Sequence, residues 1–186
     1  MSTKFVIKEG KNLTNDELVV INSWRKKEFN SKSVIKPEPG NDDWNKKYFI
    51  LLNENDKIVA FARLHDVNLE LKGKKYNILG LASLVSTERG RGYGKKLTLE
   101  MKKFIEGSGK NGIGFCNKKL TDFYRKCGFG IITDGTSRFI YKDDNGQLIK
   151  DPWGGGDVIY IRGKDDLTNR ILSNSTENVI SYRRYW

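Results

Sequence analysis

The chain has 186 residues, 34 of them Lys or Arg against 23 Asp or Glu, for a formal net charge of +11 at pH 7. That length buries one good core and is short for two ordinary domains, so a single domain over residues 1–186 is expected. With one histidine, two cysteines lacking C-x-x-C spacing and no His/Cys cluster, a zinc finger and a disulfide framework are excluded, and no metal is expected.

No apolar run is long enough to span a bilayer and no signal-peptide pattern opens the chain. The expectation is a soluble cytoplasmic protein with reduced thiols and no membrane partner, in which the sequons at Asn12 and Asn174 carry no weight. The positive charge has three readings: a nucleic-acid surface, a cleft for a polyanionic small ligand, or a solvated lysine coat. Lysines are scattered from Lys4 to Lys164 rather than gathered on one helix. That scatter favours the last two readings, and no nucleic-acid partner is expected.

In chain order, residues 5–8 alternate as a short strand. Thr14-x-x-Glu17 is a capping box, and Leu18, Ile21 and Trp24 give a helix to about Asn30. Pro37, Pro39 and Gly40 break the chain, and Asp42-Asp43-Trp44 is read as a short helix. Strands follow at Tyr48–Asn53 and Ile58–Leu71, joined by a turn at Asn55-Asp56-Lys57, with a bulge expected near His65. Gly73-Lys74 turns into a strand over 76–86. A helix over 94–106 carries the apolar stripe Leu97, Met101, Phe104 and Ile105, and Ile113–Cys116 is a short buried strand. Leu120, Phe123, Tyr124 and Cys127 then share one helix face, closed by Gly128 as a left-handed cap. Residues 129–142 and 157–162 read as a final hairpin with a glycine-rich link. Residues 165–173 read as helical, within a C-terminal segment 163–186 that ends in an irregular aromatic tail.

The most informative stretch is Ser83-Leu84-Val85-Ser86-Thr87-Glu88-Arg89-Gly90-Arg91-Gly92-Tyr93-Gly94-Lys95. An apolar strand enters a loop with three glycines and two arginines, and a helix opens at its end. Glycines let the backbone come close to a ligand, a helix N-terminus adds partial positive charge, and arginine grips phosphate bidentately. The pattern suits a diphosphate. It misses the dinucleotide fingerprint G-x-G-x-x-G because the third glycine is misplaced, and it misses G-x-x-x-x-G-K-[ST] because Lys96 follows Gly94-Lys95.

What fits is Arg89-x-x-Gly92-x-Gly94, which resembles the acetyl-CoA pyrophosphate loop of the GNAT superfamily of N-acyltransferases. Asn117 through Phe129 resembles that family's later motif, N-x(6)-Y-x-x-x-G-F. The resemblance implies the GNAT fold in the α/β (α+β) class: a mixed central sheet of about seven strands with helices on both faces. It implies acetyl-CoA as co-substrate, held by Ala82, Ser83, Leu84, Arg89, Gly90, Arg91, Gly92, Tyr93, Gly94, Lys95 and Asn117. An N–H near Leu84 would stabilise the oxyanion formed when an amine attacks the thioester, and Tyr124 would act as general acid to the thiolate.

A carboxylate base, where many antibiotic-modifying members carry one, is replaced here by Gly80. His65 is the candidate base because an imidazole titrates near neutrality; Asp66 and Glu70 share its strand. Asp43-Trp44, Gly135-Thr136-Ser137, Gly156-Asp157-Val158-Ile159-Tyr160 and Trp186 also resemble the aminoglycoside 2′-N-acetyltransferase branch. The carboxylates that would hold a polycationic sugar are mostly missing, so the acceptor is expected to be a different small-molecule amine, apolar, aromatic or anionic. Asp43, Trp153 and Trp186 are its candidate contacts. A non-catalytic acetyl-CoA-binding relative and an aminoglycoside-type resistance enzyme stand as alternatives. Related domains pair through sheet edges or tails, which leaves a homodimer open.

Overall fold

The computed structural model describes residues 2–30, 33–88, 90–150, 154–174 and 176–183. They form two compact units, Met1–His65 with Ala82–Met101, and Asp66–Leu81 with Lys102–Trp186. No helix among the described residues is long and apolar enough to cross a membrane.

The first unit begins with β1 (Thr3–Glu9), α1 (Asn15–Phe29) and β2 (Lys47–Asn53), and takes in the first part of β3 (Ile58–Leu71). It also holds the last part of β4 (Lys74–Ser86) and the first part of α2 (Tyr93–Ser108). The α1 helix starts where the capping box says it should: the Thr14 hydroxyl accepts from Glu17 N–H at 3.2 Å, and the Glu17 carboxylate accepts from Thr14 N–H at 2.9 Å. It ends on Asn30 in the left-handed region at φ 47°. Both bonds satisfy backbone donors that a helix start leaves orphaned.

In this unit β2 lies between β1 and β3, antiparallel to both, with Phe5 opposite Leu51 and Tyr48 opposite Arg63. The β2–β3 ladder steps at Leu51/Leu52, where Val59 is the extra residue. On β3 that ladder runs from Ile58 to Leu64 and stops short of His65, where the sequence suggested a bulge. Ile21, Tyr48, Ile50, Phe61 and Val85 form the core, with Trp24 packed against it. Burying an aliphatic or aromatic side chain of this size stabilises by roughly 1.5–3 kcal/mol.

The second unit adds β5 (Gly112–Cys116), α3 (Thr121–Lys126), β6 (Gly130–Ile132), β7 (Phe139–Lys142), β8 (Leu148–Lys150), β9 (Asp157–Ile161), α4 (Leu167–Ser173) and β10 (Val179–Ser181). Its strand order is β6-β9-β5-β4-β3-β10-β7-β8. Parallel pairs (β4 with β5, β10 with β7) lie among antiparallel ones, so the sheet is mixed. Lys72 and Gly73, at φ 53° and 75°, form a two-residue hairpin loop with positive φ at both positions, which matches strand twist. Val67, Leu69, Ile78, Ile113, Phe139, Val158, Leu167 and Ile171 make the core.

The fold is the mixed α+β one expected, with ten strands instead of about seven and four α-helices among the described residues. Four local expectations are corrected. Asp42-Asp43-Trp44 is a turn, because the Asn41 side-chain oxygen accepts from Asp43 and Trp44 N–H (3.0 and 3.2 Å) and competes with helical bonding. Residues 129–142 and 157–162 do not form one hairpin: β7 pairs with β8, while β9 runs between β5 and β6. The tail is not wholly irregular, since β10 inserts between β3 and β7.

The fourth correction concerns Leu120, which is 49% exposed rather than on the buried helix face. Asn117 caps a 3-10 turn by accepting from Lys119 N–H at 2.9 Å. The α-helix therefore starts only at Thr121, whose hydroxyl turns inward to donate to Asp157.

Candidate active site

At the end of β4 the backbone departs from extended geometry. Ser83 sits at φ 54°, in the left-handed region that L-residues enter at a cost of about 1–2 kcal/mol. Such a residue inside a strand marks a bulge, where the hydrogen-bond ladder is locally interrupted and backbone groups become available to a ligand. Ala82 and Val85 on either side are buried, while Ser83 and Leu84 are half-buried. The bulge is secured by Arg63 of β3, whose Nη2 donates to Ser83 Oγ at 2.9 Å.

After β4, Thr87 is tied back by its N–H and hydroxyl to the Val59 carbonyl at 3.0 and 3.2 Å. The chain then turns through Gly90 and Gly92, at φ 84° and 77°. A Cβ at either would meet nothing within 4 Å, so it is the positive φ and not crowding that calls for glycine. Arg91 pairs with Glu88 at 3.1 Å on the surface. The α2 helix opens at Tyr93, with Lys96 N–H bonded to the Gly92 carbonyl at 2.9 Å.

The first turn of α2 contains no acidic residue and two lysines, Lys95 and Lys96. That inverts the usual preference, because a helix N-terminus carries partial positive charge and favours Asp or Glu. A strongly anionic ligand at this turn would reverse the cost. Arg89, Trp153 and Trp186 lie outside the described residues.

Beside the bulge the first unit holds a buried group of charges that the sequence reading missed. Arg63 and His65, two apart on β3, are 7% and 3% exposed, and Arg25 of α1 is 7% exposed. The segment carrying Asp43 and Lys46 is pinned by Gly10 N–H to the Lys46 carbonyl and Lys11 N–H to the Trp44 carbonyl, both 2.9 Å. Lys46 Nζ meets Asp43 Oδ1 at 2.7 Å, and Arg63 Nη1 lies 3.9 Å from the same oxygen. Arg25 donates to the Ser33 carbonyl at 3.0 Å and to its hydroxyl at 3.1 Å.

The electrostatic consequence falls on His65. Burial first, then the charges of Arg63, Lys46 and Arg25, push its imidazole down to about 2. It stays neutral and is a very weak base. Burial likewise lowers Lys46 and Arg25, and pushes the Tyr48 phenol up to about 12. Gly80, which stands where a carboxylate base would be sought, pairs with Ile113 of β5 and is buried. An Arg-x-His pair on one face of an otherwise apolar strand was the signal that could have revealed this cluster from sequence.

In the second unit Tyr124 is carried by the short α3, oriented by the Asn117 cap and by the Thr121–Asp157 bond. Asp157 is buried and also accepts from Asp134 N–H at 2.9 Å. Tyr124 is 8% exposed and meets Phe123 and Phe129 edge-on, with ring centroids at 5.1 and 5.6 Å. Gly128, at φ 80°, closes the helix as expected. Burial above all, with smaller effects from Cys116 and Cys127, raises the phenol well above its ordinary value, so it remains a proton-bearing donor.

A mixed α+β fold, a bulged strand running into a glycine-rich turn and a helix start rich in lysine define an acyltransferase that draws its acyl group from a coenzyme A thioester. A model of the "Acetyltransferase (GNAT) family" matches residues 18–129, and the chain belongs to that family. Among curated proteins, none matches this sequence significantly.

Solved structures of similar fold include Escherichia coli ElaA (16% identity, 86% of this chain and 99% of that one, TM-score 0.58). Another is the E. coli GNAT family N-acetyltransferase YhbS in complex with CoA (12% identity, 99% and 93%, TM-score 0.58). A third is an acyl-CoA N-acyltransferase from Pseudomonas aeruginosa (16% identity, 87% and 100%, TM-score 0.55). At these identities the likeness concerns the fold.

Proposed function

We propose that this protein transfers the acetyl group of acetyl-CoA to a primary amine of a small molecule by direct attack. The observation that carries the reading is the succession of left-handed Ser83, left-handed Gly90 and Gly92, and an α2 first turn with two lysines and no acid. Acetyl-CoA supplies an activated acyl group and a thiolate leaving group; the chain's residues bind, orient and move protons. The amides from Gly90 to Lys95, with Arg91 and Lys95, take the diphosphate. Ala82, Ser83 and Leu84 take the amide-bearing arm, and Leu84 N–H donates to the thioester oxygen as it gains negative charge. Arg89 and Asn117 are carried as further coenzyme contacts on the family motif.

Tyr124 is the proposed donor to the leaving thiolate. Its raised phenol keeps the proton through the working pH range, so it stabilises the sulfur by hydrogen bonding and completes transfer as the thiol is released. His65 receives no base role, because its neutral form is held by burial and three cations. The amine then enters neutral or sheds its proton to water. That lack of a base, with Gly80 offering no carboxylate, is what favours the second reading, a coenzyme-binding relative without turnover.

An aminoglycoside acceptor is disfavoured by the buried cations Arg25, Lys46 and Arg63, which repel a polycation. Thiol release over a panel of amines, with calorimetric titration of acetyl-CoA alongside, decides between the readings. Turnover supports the enzyme, coenzyme binding without turnover supports the sensor, and absence of binding overturns both.

A further inference from the structure

The cluster beside Ser83 is unbalanced in charge. Lys46 and Arg63 bring two positive charges, Asp43 brings one negative, and His65 is neutral. Asp43 is the carboxylate that acts on both Arg25 and Lys46 among the described residues. One positive charge is thus left over in a place where water is scarce, an arrangement that is costly unless an anion completes it.

Donors are also left over. Arg63 spends Nη2 on Ser83 and shares Asp43 at 3.9 Å, yet its buried Nε makes no hydrogen bond. Directly opposite on β2, the Tyr48 hydroxyl is fully buried and has no hydrogen-bond partner. The Arg63 guanidinium acts on the phenol both by charge and by a side-chain contact that falls short of a well-formed hydrogen bond. Unspent donors on two cross-strand neighbours are what an acidic group with several acceptor oxygens would complement. The cluster is tied by the Arg63–Ser83 bond to the residue before Leu84, whose N–H is the proposed oxyanion donor.

We propose that Arg63, Lys46 and Tyr48 receive an acidic group on the acceptor, so that the substrate is a small amine carrying a carboxylate, phosphate or sulfonate. This rests on the acetyl-transfer reading, which supplies the amine. The acid would anchor one end of the acceptor beside the bulge and leave the amine free to attack. A neutral amine of the same size would leave the cluster's charge uncompensated and bind more weakly.

The test uses matched pairs of amines: L-phenylalanine against 2-phenylethylamine, β-alanine against propylamine, and O-phosphoethanolamine and taurine each against ethanolamine. Thermal melting of the protein with each at millimolar concentration reads binding without turnover, and thiol release gives KM for each. At least one acid-bearing member is expected to raise the melting midpoint and to show a KM roughly tenfold or more below its neutral partner, the scale of a charge-assisted hydrogen bond. In Lys46→Gln and Arg63→Gln that ratio is expected to fall toward one.

Equal treatment of acid and neutral members, or a preference that survives in both variants, overturns the proposal. So does a tenfold loss of acetyl-CoA affinity in Lys46→Gln, because the anion would then belong to the coenzyme. Lys46 lies on a turn segment, so that variant keeps the test alive if Arg63→Gln does not fold. Failure of the acetyl-transfer reading itself is seen separately, as absence of acetyl-CoA binding to the wild type, and the melting arm still reads the acid site in that case.

Discussion

Lowering the pH from about 7.5 to about 5 should remove roughly 2 kcal/mol of folding stability through His65 alone. In the unfolded chain its imidazole titrates at 6.5, whereas burial and the charges of Arg63, Lys46 and Arg25 hold it near 2 in the folded protein. The folded value is the lower one, so folding favours the neutral ring. Stability from this source is complete above 6.5, drains as the pH falls below it, and continues to drain down to the folded value. At pH 5 the unfolded imidazole is almost fully protonated and the folded one is not, so the loss is about one and a half pH units at about 1.4 kcal/mol each. That is a sizeable part of the roughly 5–15 kcal/mol that holds a domain folded.

Urea unfolding followed by tryptophan fluorescence at the two pH values, for wild type and His65→Gln, measures it. Carboxylate titrations are common to both proteins and cancel in the difference. The wild type should lose about 2 kcal/mol more than the variant on acidification. Equal losses would mean that the imidazole titrates near its ordinary value when folded, which would undo the argument against His65 as a base.

Tyr124→Phe should keep acetyl-CoA affinity and lose at least tenfold in turnover, about 1.4 kcal/mol of transition-state stabilisation; a wild-type rate in stopped-flow thiol release would remove the donor role. Gly10→Ala should destabilise by about 3 kcal/mol in chemical denaturation, because its Cβ would stand 1.9 Å from the Asp43 carbonyl oxygen, a backbone atom that cannot swing aside. A loss below about 1 kcal/mol would show that the Asp43 segment is not pinned as described. Thr121→Val should lower stability by about 1–3 kcal/mol by leaving buried Asp157 one donor short, and an unchanged denaturation midpoint would contradict that role.

Local chemistry was legible in the sequence wherever one segment determined its own structure. The Thr14–Glu17 box, the Gly128 cap and the span of β3 all emerge as the residues alone indicate, while the turn read at Gly73-Lys74 falls one residue earlier, at Lys72-Gly73. What could not be read depended on partners far along the chain. A three-residue strand such as β10 has no pattern of its own and exists because β3 and β7 offer it edges. Leu120 fits the helical period, but the Asn117 cap delays the helix by one residue and turns it to solvent. The phosphate-type turn was visible because its glycines and cations are contiguous. Of the buried cluster only the Arg63-x-His65 pair left a trace in the sequence, because Arg25, Asp43, Lys46 and Tyr48 come from other segments, and only β2–β3 register sets Tyr48 opposite Arg63.

The most direct test of the coenzyme turn is calorimetric titration of acetyl-CoA into wild type and Gly92→Val. A Cβ at position 92 meets no protein atom within 4 Å, so the substitution acts through the φ of 77° and through what a branched side chain blocks at the turn. The account predicts micromolar binding to the wild type and at least a tenfold loss in the variant, with the fold intact by circular dichroism. No heat with the wild type, or equal affinity in the variant, would contradict it.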